Sequence, residues 1–462
     1  MTRHIRLAPA ALLVMALGCG PDQPTNTFTP NMARTAADQN IGISVLLSGP
    51  PTDAQLAALG RFGNVTGKLI EINAVFMRAS ESALPSIQAL PFVLAANPDA
   101  EREGAPVDAV AVADFSGARN SWNLDVVNVT NLGAGRTIGY DGSGVYVGVL
   151  DTGLLDSWRQ YLPEERIAEE YAKSFTGGPL GNVADQPNKW EHDQNSHGTH
   201  VTSTILGYNF PSGAFNGVAP LATIIPVKVL NQNGSGWSSM IATGIVYIAS
   251  LKMGPLASHP VVINMSLGGA RLDAVEKAAI DFAIAHGVIV VAAAGNAGNA
   301  GMTNPGAYAP VISAAAAGWV GEWRSAPWWR SNDVAEASGA DSFYIAPFSG
   351  RQRTGQDLDV AAPGTWVVGP FQTQSGQLSW FFLGGTSMAT PHVAGIVALM
   401  LQKNPALSAA QVETILQTTA IPLGTGPRTI RNPNGTTSTV NWGTNATGAG
   451  LTTADAALAA TP

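Results

Sequence analysis

The sequence predicts an α/β fold in which a parallel β-sheet is covered by helices on both faces, preceded by a small α+β unit. The first observation is a series of short, continuous apolar runs bounded by glycine or polar residues, which is typical of buried parallel strands. The second is that helical stretches alternate with these runs, because strands separated by helices build a parallel sheet. The third is composition: the 462 residues are 45% hydrophobic and only 12% charged, which is enough apolar material for a large core.

The N-terminus has the pattern of an export signal. Arg3 and Arg6 precede an apolar run over residues 7–17, which is followed by Gly18, Cys19 and Gly20. A charged start, a short apolar stretch and a small-residue end define a signal peptide, and this stretch is too short to span a bilayer. We therefore expect residues 1–19 to be a signal peptide and the protein to be exported.

Cys19 is the only cysteine in the chain, so no intramolecular disulfide bond and no thiolate metal cluster can form. The sequence from Ala16 to Cys19 resembles a bacterial lipobox, in which the cysteine is lipidated and becomes the new N-terminus. Two alternatives follow. The protein is either an outer-membrane lipoprotein attached through a lipid on Cys19, or a freely secreted extracellular protein.

A small unit precedes the main domain. Residues 20–40 are polar and rich in Thr, Pro, Asn and Gln, so they are expected to form a tether. Residues 41–100 then alternate strand and helix patterns, and Thr52 to Gln55 has the spacing of a capping box. The predicted order is strand, helix, strand, strand, helix, strand, at residues 43–47, 52–62, 65–76 (both middle strands), 82–90 and 92–94. Residues 101–121 are polar and small again, which marks a junction.

The main domain is predicted to occupy residues 122–462. Its predicted strands are residues 145–150, 223–230, 261–265, 288–293 and 358–361, and its predicted helices are residues 200–206, 238–251, 272–286, 387–402 and 408–418. In such sheets, ligands bind beyond the carboxyl ends of the strands. Asp151, Ser266 and Asn296 each follow a predicted strand, so we expect them at one site.

Three short motifs carry nucleophilic chemistry. They place Asp151 in Val-Gly-Val-Leu-Asp-Thr-Gly, His197 in Asn-Ser-His-Gly-Thr-His-Val, and Ser387 in Gly-Thr-Ser-Met-Ala-Thr-Pro-His-Val-Ala-Gly. A serine hydroxyl is a poor nucleophile, so it needs a base within hydrogen-bond reach and a group that orients the base. With Asp, His and Ser in this order, the chain resembles the subtilase family of serine proteases from about residue 122 to the end.

The resemblance implies a secreted or lipid-anchored bacterial endopeptidase that is made as a zymogen. Ser387 would be the nucleophile, His197 the base, Asp151 its partner, and Asn296 a donor to the oxyanion. Residues 41–100 match the family's propeptide in their order of elements, and would act as an intramolecular inhibitor. The alternative is an unrelated α+β accessory domain. The segments that resemble the family's substrate-binding walls are Ser235, Gly236 and Trp237; Ser266, Leu267, Gly268 and Gly269; and Ala293, Ala294 and Gly295.

The family resemblance also bears on cofactors and partners. The chemistry would need no cofactor, and the substrates would be polypeptides. A structural calcium ion is left open, because the loop over residues 207–217 lacks the pattern of the family's strong calcium site. The net charge of -8 without a basic stripe argues against nucleic acid as a partner. We expect the protein to act as a monomer.

Other interpretations exist for the same residues. Ser387 is also a favoured N-cap residue, and Asp151 could cap a helix. An aspartic protease would need a second Asp-Thr-Gly or Asp-Ser-Gly, which the sequence lacks. The zinc motif His-Glu-x-x-His is absent too, so no catalytic metal is predicted, and His200 and His392 are expected to be structural.

Two other classes of protein remain as alternatives. One is a binding module that keeps the fold without turnover, and the other is a peptide ligase or cyclase that transfers the acyl group to an amine. The stretch over residues 318–345 resembles an insertion and carries four tryptophans, at positions 319, 323, 328 and 329. These aromatic residues are expected to pack under a long loop, with a binding platform as the alternative.

Overall fold

The computed structural model describes residues 39–116, 120–131, 135–176, 183–331, 334 and 341–462. The predicted signal peptide, the lipidation site Cys19 and the tether up to residue 38 lie outside the described residues. Within the described part, the helices are α1 (Asp53–Leu59), α2 (Leu84–Gln88), α3 (Trp122–Val126), α4 (His197–Leu206), α5 (Ser238–Met253), α6 (Ala274–Ala285), α7 (Trp328–Ser331), α8 (Thr386–Lys403), α9 (Ala409–Thr419) and α10 (Ala454–Ala460).

The strands form several sheets. In chain order they are β1 (Asn40–Leu47), β2 (Gly63–Leu69), β3 (Ala74–Ser80), β4 (Val93–Pro98), β5 (Glu101–Glu103), β6 (Asp108–Ala111), β7 (Thr130–Asn131), β8 (Gly135–Arg136), β9 (Tyr146–Asp151), β10 (Lys173–Ser174), β11 (Gly207–Phe210), β12 (Gly213–Asn216), β13 (Thr223–Lys228), β14 (Ser235–Trp237), β15 (Val261–Met265), β16 (Val288–Ala293), β17 (Ile312–Trp319), β18 (Phe343–Ile345), β19 (Val360–Pro363), β20 (Val367–Pro370), β21 (Trp380–Gly384), β22 (Arg428–Arg431) and β23 (Thr437–Val440).

The first four strands and α1 and α2 form an N-terminal unit, residues 40–98. Its strands pair antiparallel in the order β2-β3-β1-β4. The side-chain oxygen of Thr52 accepts from the backbone N–H of Gln55, and the side-chain oxygen of Gln55 accepts from the backbone N–H of Thr52. Helix α1 therefore begins with the capping box that the sequence predicts. Ile72, Ala74 and Phe76 of this unit belong to the same buried cluster as Ile280 of α6, so the unit is packed against the main domain.

The main sheet has the order β10-β13-β9-β15-β16-β17-β18, and β19 also pairs with β17. All its neighbours are parallel except β18, which runs antiparallel to β17. Alternate residues of each strand point to opposite faces. Val147 and Val149 of β9 pack in the cluster that contains α4 and α8, whereas Leu150 packs in the cluster of α5 and α6. The predicted α/β fold with helices on both faces is therefore confirmed.

Most predicted element bounds differ from the observed ones by one to three residues. The strand β17 was not predicted from the sequence, although seven of its eight residues are buried. Small sheets surround the core, and two of them bear on the site. Strand β5 pairs antiparallel with β14, and β6 pairs antiparallel with β21, which in turn pairs with β20.

Candidate active site

A carboxylate and an imidazole meet in the interior at the carboxyl end of the sheet. Asp151 is the last residue of β9 and His197 is the first residue of α4, and Oδ1 of Asp151 lies 2.8 Å from Nδ1 of His197. Both side chains are at most 1% exposed. A buried carboxylate on Nδ1 holds the proton there and leaves Nε2 as the basic nitrogen. Among the described residues, nothing hydrogen bonds to Nε2 of His197.

A glycine makes this close pairing sterically feasible. Gly198 follows the imidazole residue, and a Cβ atom there would lie 2.3 Å from the carbonyl oxygen of Gly153 and 3.2 Å from Oδ1 of Asp151. Any larger residue would therefore push α4 away from the end of β9, and His197 would lose its contact with Asp151.

A second buried charge pair, Asp193 and Lys228, contacts the residues next to Asp151 and His197, and it was not predicted from the sequence. Asp193 accepts hydrogen bonds from the Thr152 hydroxyl at 2.7 Å and from the Ser196 backbone at 2.8 Å. Lys228 lies 3.8 Å from this carboxylate and donates to the Thr152 carbonyl. Burial raises the pKa of Asp193 and lowers that of Lys228. The available signal was a lysine inside the otherwise mostly apolar predicted strand over residues 223–230.

Ser387 lies at the start of α8, where it faces the strand end of β15. It is the second residue of the helix, and the N-cap is Gly385, so the alternative that Ser387 caps the helix is wrong. Its hydroxyl donates to the carbonyl oxygen of Ser266 at 3.1 Å. In return the hydroxyl of Ser266 donates to the carbonyl oxygen of Ser387 at 2.8 Å.

The amide of Asn296 is oriented by Thr386, the neighbour of Ser387. Its Oδ1 accepts from the backbone N–H of Thr386 at 2.9 Å and from the Thr386 hydroxyl at 2.8 Å. With the oxygen occupied in this way, the amide nitrogen is the free end of the side chain. Asn296 and Ser387 line one cavity of about 290 Å³. A developing negative charge beside Ser387 would therefore find a donor in Asn296.

The predicted substrate-binding residues divide into four groups. Leu267, Gly268, Ala293 and Gly295 line the cavity beside Ser387. Ser235, Gly236 and Trp237 form β14, which pairs with β5, and Gly269 packs against the carbonyl of Glu101 and the side chain of Arg102. Ser266 contacts Ser387, as described above. Ala294 is fully buried and lies behind the cavity rather than in its lining.

Residues 101–107 of the same chain run between β14 and Gly268 and past the cavity of Ser387. We call this space the cleft and these residues the cleft segment. Glu103 and Gly268 exchange two backbone hydrogen bonds of 2.9 Å, and the N–H of Gly104 donates to the carbonyl of Gly234 at 2.8 Å. A Cβ atom built on Gly104 would lie 3.5 Å from Cε1 of His197. Ala105 lines the cavity with Ser387, and the N–H of Val107 donates to the carbonyl of Gly384 at 2.6 Å.

The two remaining histidines of the motifs are structural, as the sequence predicts. Nε2 of His200 bonds the carbonyl of Val367 at 3.1 Å, and Nδ1 of His392 bonds the carbonyl of Met388 at 2.8 Å. Burial lowers the pKa of His200 to about 3 and that of His392 to about 4, so both rings are neutral at ordinary pH.

The described residues include one set of carboxylates that could hold a cation. Asp357, Asp359 and Glu413 have carboxylate oxygens within 4.8 Å of one another. Burial and the two neighbouring aspartates raise the pKa of Glu413 to about 7. The loop over residues 207–217, where the resemblance gave no calcium pattern, forms the β11–β12 hairpin around the buried aromatic rings of Tyr208, Phe210 and Phe215. A structural calcium ion, which the sequence left open, is not assigned to a site.

The tryptophan-rich stretch contributes mainly to the core in its described part. Trp328 and Trp329 are 3% and 2% exposed. Trp328 stacks on Phe382 with ring centroids 5.8 Å apart, and Trp329 stacks on Phe215 at 5.3 Å. This packing agrees with the expectation that the aromatic residues fill the space under a long loop.

Comparisons with known proteins agree with this geometry. The model of the subtilase family matches residues 142–450. The sequence is 36% identical over 290 residues to subtilisin DY of Bacillus licheniformis, an alignment that covers 62% of this chain and 87% of that protein. It is 37% identical over 287 residues to subtilisin E of Bacillus subtilis (strain 168), with 62% of this chain and 63% of that protein covered.

Solved structures extend the likeness to the fold. Fervidolysin from Fervidobacterium pennivorans, described as a keratinolytic enzyme related to subtilisin, superposes with a TM-score of 0.65 at 22% identity. That superposition covers 93% of this chain and 62% of fervidolysin. Sphericase gives a TM-score of 0.53 at 27% identity, with 73% of this chain and 99% of sphericase covered.

Proposed function

This chain belongs to the subtilase family of serine endopeptidases, and we propose that it hydrolyses polypeptides through Ser387, His197 and Asp151. One observation carries the proposal. The cleft segment lies as an extended strand between β14 and Gly268, with Gly104 beside His197 and Ala105 in the cavity of Ser387. A groove that pairs with a peptide backbone next to an oriented base and a serine is suited to peptide-bond hydrolysis.

The proposed chemistry follows from the geometry. Ser387 Oγ attacks the substrate carbonyl carbon while Nε2 of His197 takes the hydroxyl proton, and Asp151 stabilises the imidazolium. The tetrahedral oxyanion accepts hydrogen bonds from the amide of Asn296 and from the backbone N–H of Ser387. The C–N bond then breaks as His197 protonates the leaving amine. Water, activated by His197, releases the acyl group from Ser387, and no cofactor takes part.

We assign the N-terminal unit to a propeptide over residues 41–100, residues 101–121 to the processing junction, and residues 122–462 to the peptidase. Packing of the N-terminal unit on α6 and the pairing of β5 with β14 support an inhibitory role, because together they keep the substrate groove filled. Because Ala105 lines the cavity of Ser387, we propose Ala105–Pro106 as the bond that the nucleophile attacks.

The decisive experiment compares intact masses of the purified wild type, Ser387→Ala and Ser375→Ala. Ser375 is an exposed serine and serves as the matched control. We expect the wild type and the control to lose an N-terminal fragment that ends in the junction and to react with a fluorophosphonate probe. Ser387→Ala should do neither. Self-cleavage or labelling that persists in Ser387→Ala would contradict the proposal.

Export rests on the sequence of residues 1–19 alone, and we propose it with a lipid on Cys19. None of the helices in the described ranges is long and apolar enough to cross a membrane. Metabolic labelling with a radioactive fatty acid should mark the wild type and leave Cys19→Ala unlabelled. Equal absence of label in both would favour the freely secreted alternative.

A further inference from the structure

A buried arginine of the cleft segment is paired with a buried glutamate of the peptidase. Arg102 is the middle residue of β5, and Glu276 lies in the first turn of α6; the side chains of both are 0% exposed. Nε of Arg102 donates to Oε1 of Glu276 at 3.1 Å, and Nη2 donates to Oε2. The guanidinium also donates to the carbonyl oxygens of Glu101 at 2.8 Å and of Arg271 at 2.5 Å. This is the bidentate geometry for which arginine is preferred over lysine.

The surrounding wall is shaped for this side chain. Gly269 lies against it, and a Cβ atom there would be 2.6 Å from Nη1 of Arg102 and 3.3 Å from its Cδ. Most of the negative charge around Arg102 comes from α6 of the peptidase, because Glu276 and the N-cap Asp273 attract the guanidinium more strongly than Asp99 of the N-terminal unit does. The pocket therefore combines space for a long side chain with a carboxylate at its end.

The pocket occupies a fixed position relative to the reacting bond. Arg102 pairs with Gly236, Glu103 with Gly268, and Ala105 reaches the cavity of Ser387. The buried arginine thus lies three residues before Ala105, the residue of the cleft segment that shares the cavity with Ser387. In any substrate that pairs with β14 and Gly268 in the same register, the residue at the position of Arg102 places its side chain into this pocket.

Removal of the cleft segment takes away the partner of Glu276. Among the described residues, no side chain other than that of Arg102 donates to this carboxylate. An incoming arginine can give this carboxylate two charge-assisted hydrogen bonds, whereas an aliphatic side chain gives none and displaces water from it, so arginine is favoured over an aliphatic residue.

We propose that Glu276 makes the enzyme selective for polypeptides with arginine three residues before the residue whose carbonyl Ser387 attacks. The inference rests on the proposed endopeptidase function and narrows its substrate class. Glu276 contacts a side chain three residues before the reacting bond, so its role is in specificity. Its contact with arginine holds the substrate in the register that brings the scissile bond to Ser387.

The test uses quenched fluorescent peptides with the sequence of residues 101–108, serine in place of Pro106, and arginine, lysine or leucine at the position of Arg102. Active enzyme is counted by fluorophosphonate titration. For the wild type we expect kcat/KM to be roughly 100-fold higher for the arginine peptide than for the leucine peptide, with lysine between them. Glu276→Gln should reduce this ratio to within about threefold of unity.

Two further variants keep the test decisive. Asp281→Asn changes an exposed acid of the same helix and should keep the arginine preference. If Glu276→Gln fails to fold with a buried, unpaired Arg102, the double variant Arg102→Leu/Glu276→Leu replaces the pair by apolar side chains and should prefer the leucine peptide.

The outcomes separate the two proposals. Equal hydrolysis of the three peptides by the wild type, or an arginine preference that survives in Glu276→Gln, overturns the assignment to Glu276 and leaves the endopeptidase function intact. Absence of both hydrolysis and fluorophosphonate labelling overturns the endopeptidase function, and the specificity with it.

Discussion

Ser387 and Ser266 are tied to each other by two hydrogen bonds, each from the hydroxyl of one to the backbone carbonyl of the other, at 3.1 and 2.8 Å. The hydroxyl of Ser387 is therefore directed at a carbonyl oxygen in this state, and not at His197. Rotation of one side-chain torsion is needed before His197 can take the proton. The second bond, from Ser266, anchors the backbone of Ser387 during that rotation.

Removal of the Ser266 hydroxyl should therefore impair turnover more than binding. For Ser266→Ala we expect kcat to fall about tenfold with little change in KM, because the first turn of α8 loses an anchor beside Ser387, the proposed nucleophile. Steady-state kinetics on a quenched peptide, with Ser375→Ala as the control, measure this effect. A rise in KM at unchanged kcat would show instead that Ser266 acts through the substrate.

Asn296 should contribute mainly to the transition state. Asn296→Leu is expected to lower kcat by roughly 10²–10³-fold at nearly constant KM, the cost measured for such a donor in a subtilisin itself. Thr386→Val removes one of the two hydrogen bonds that orient the amide, so its effect should be smaller, about tenfold. Equal losses in both variants would indicate that Thr386 has a role of its own.

Proline after Ala105 should slow self-cleavage. The ring of Pro106 fixes its backbone torsion and removes the N–H, and it also restricts Ala105 to extended conformations. We expect Pro106→Ala to accelerate removal of the N-terminal fragment by about tenfold or more. Time courses by intact mass provide the measurement, and Pro106→Ala/Ser387→Ala should stay uncleaved. An unchanged rate and fragment mass would place the cleaved bond elsewhere in the junction.

Glu322 should make stability depend on pH. Burial raises its pKa from 4.5 to about 8, although its oxygens accept from Thr365 and Tyr344 at 2.6 Å and from the Trp319 backbone at 3.1 Å. Between these two values the unfolded chain has released the proton and the native protein keeps it. The free energy of unfolding therefore falls as pH rises from 4.5 to 8, and the carboxyl has no further effect above that range.

The measurement is the melting temperature at pH 5 and pH 9, taken in the Ser387→Ala background to prevent self-digestion. We expect Glu322→Gln to remove roughly 5 °C of the decrease that the parent shows over this range. Glu165→Gln, which alters an exposed carboxylate, should follow the parent. A parallel decrease in all three proteins would mean that other groups cause the pH dependence.

The sequence was sufficient for the layered fold because its signals are local. Strands β15 and β16 were predicted with their observed bounds, since β16 is an unbroken apolar run and β15 is interrupted only by Asn264. Strand β17 escaped prediction because its core is four consecutive alanines, which have low strand propensity. Pairing with β16, β18 and β19 makes that segment extended, and such tertiary pairing leaves no local pattern.

The same limit applies to the site. Its three motif residues were identified because each stands in a distinctive short motif, and the structure brings Asp151 into contact with His197. The partnership of Arg102 with Glu276 joins residues 174 positions apart. Each of the two lies in an unremarkable polar context, so neither attracted attention. Lys228 lies within the predicted strand over residues 223–230, where the apolar neighbours dominate the pattern.

The pairing of β6 with β21 has a consequence for how the enzyme would become available to other proteins. A cut after Ala105 would divide the chain in the cleft into an upstream piece, which pairs with β14, and a downstream piece, which pairs with β21. The upstream piece leaves when the N-terminal unit leaves α6. The downstream piece stays bound through the strand that leads directly to Ser387, until β6 is peeled from β21. Hydrolysis of one bond would therefore open only half of the groove, and full activity would lag behind processing.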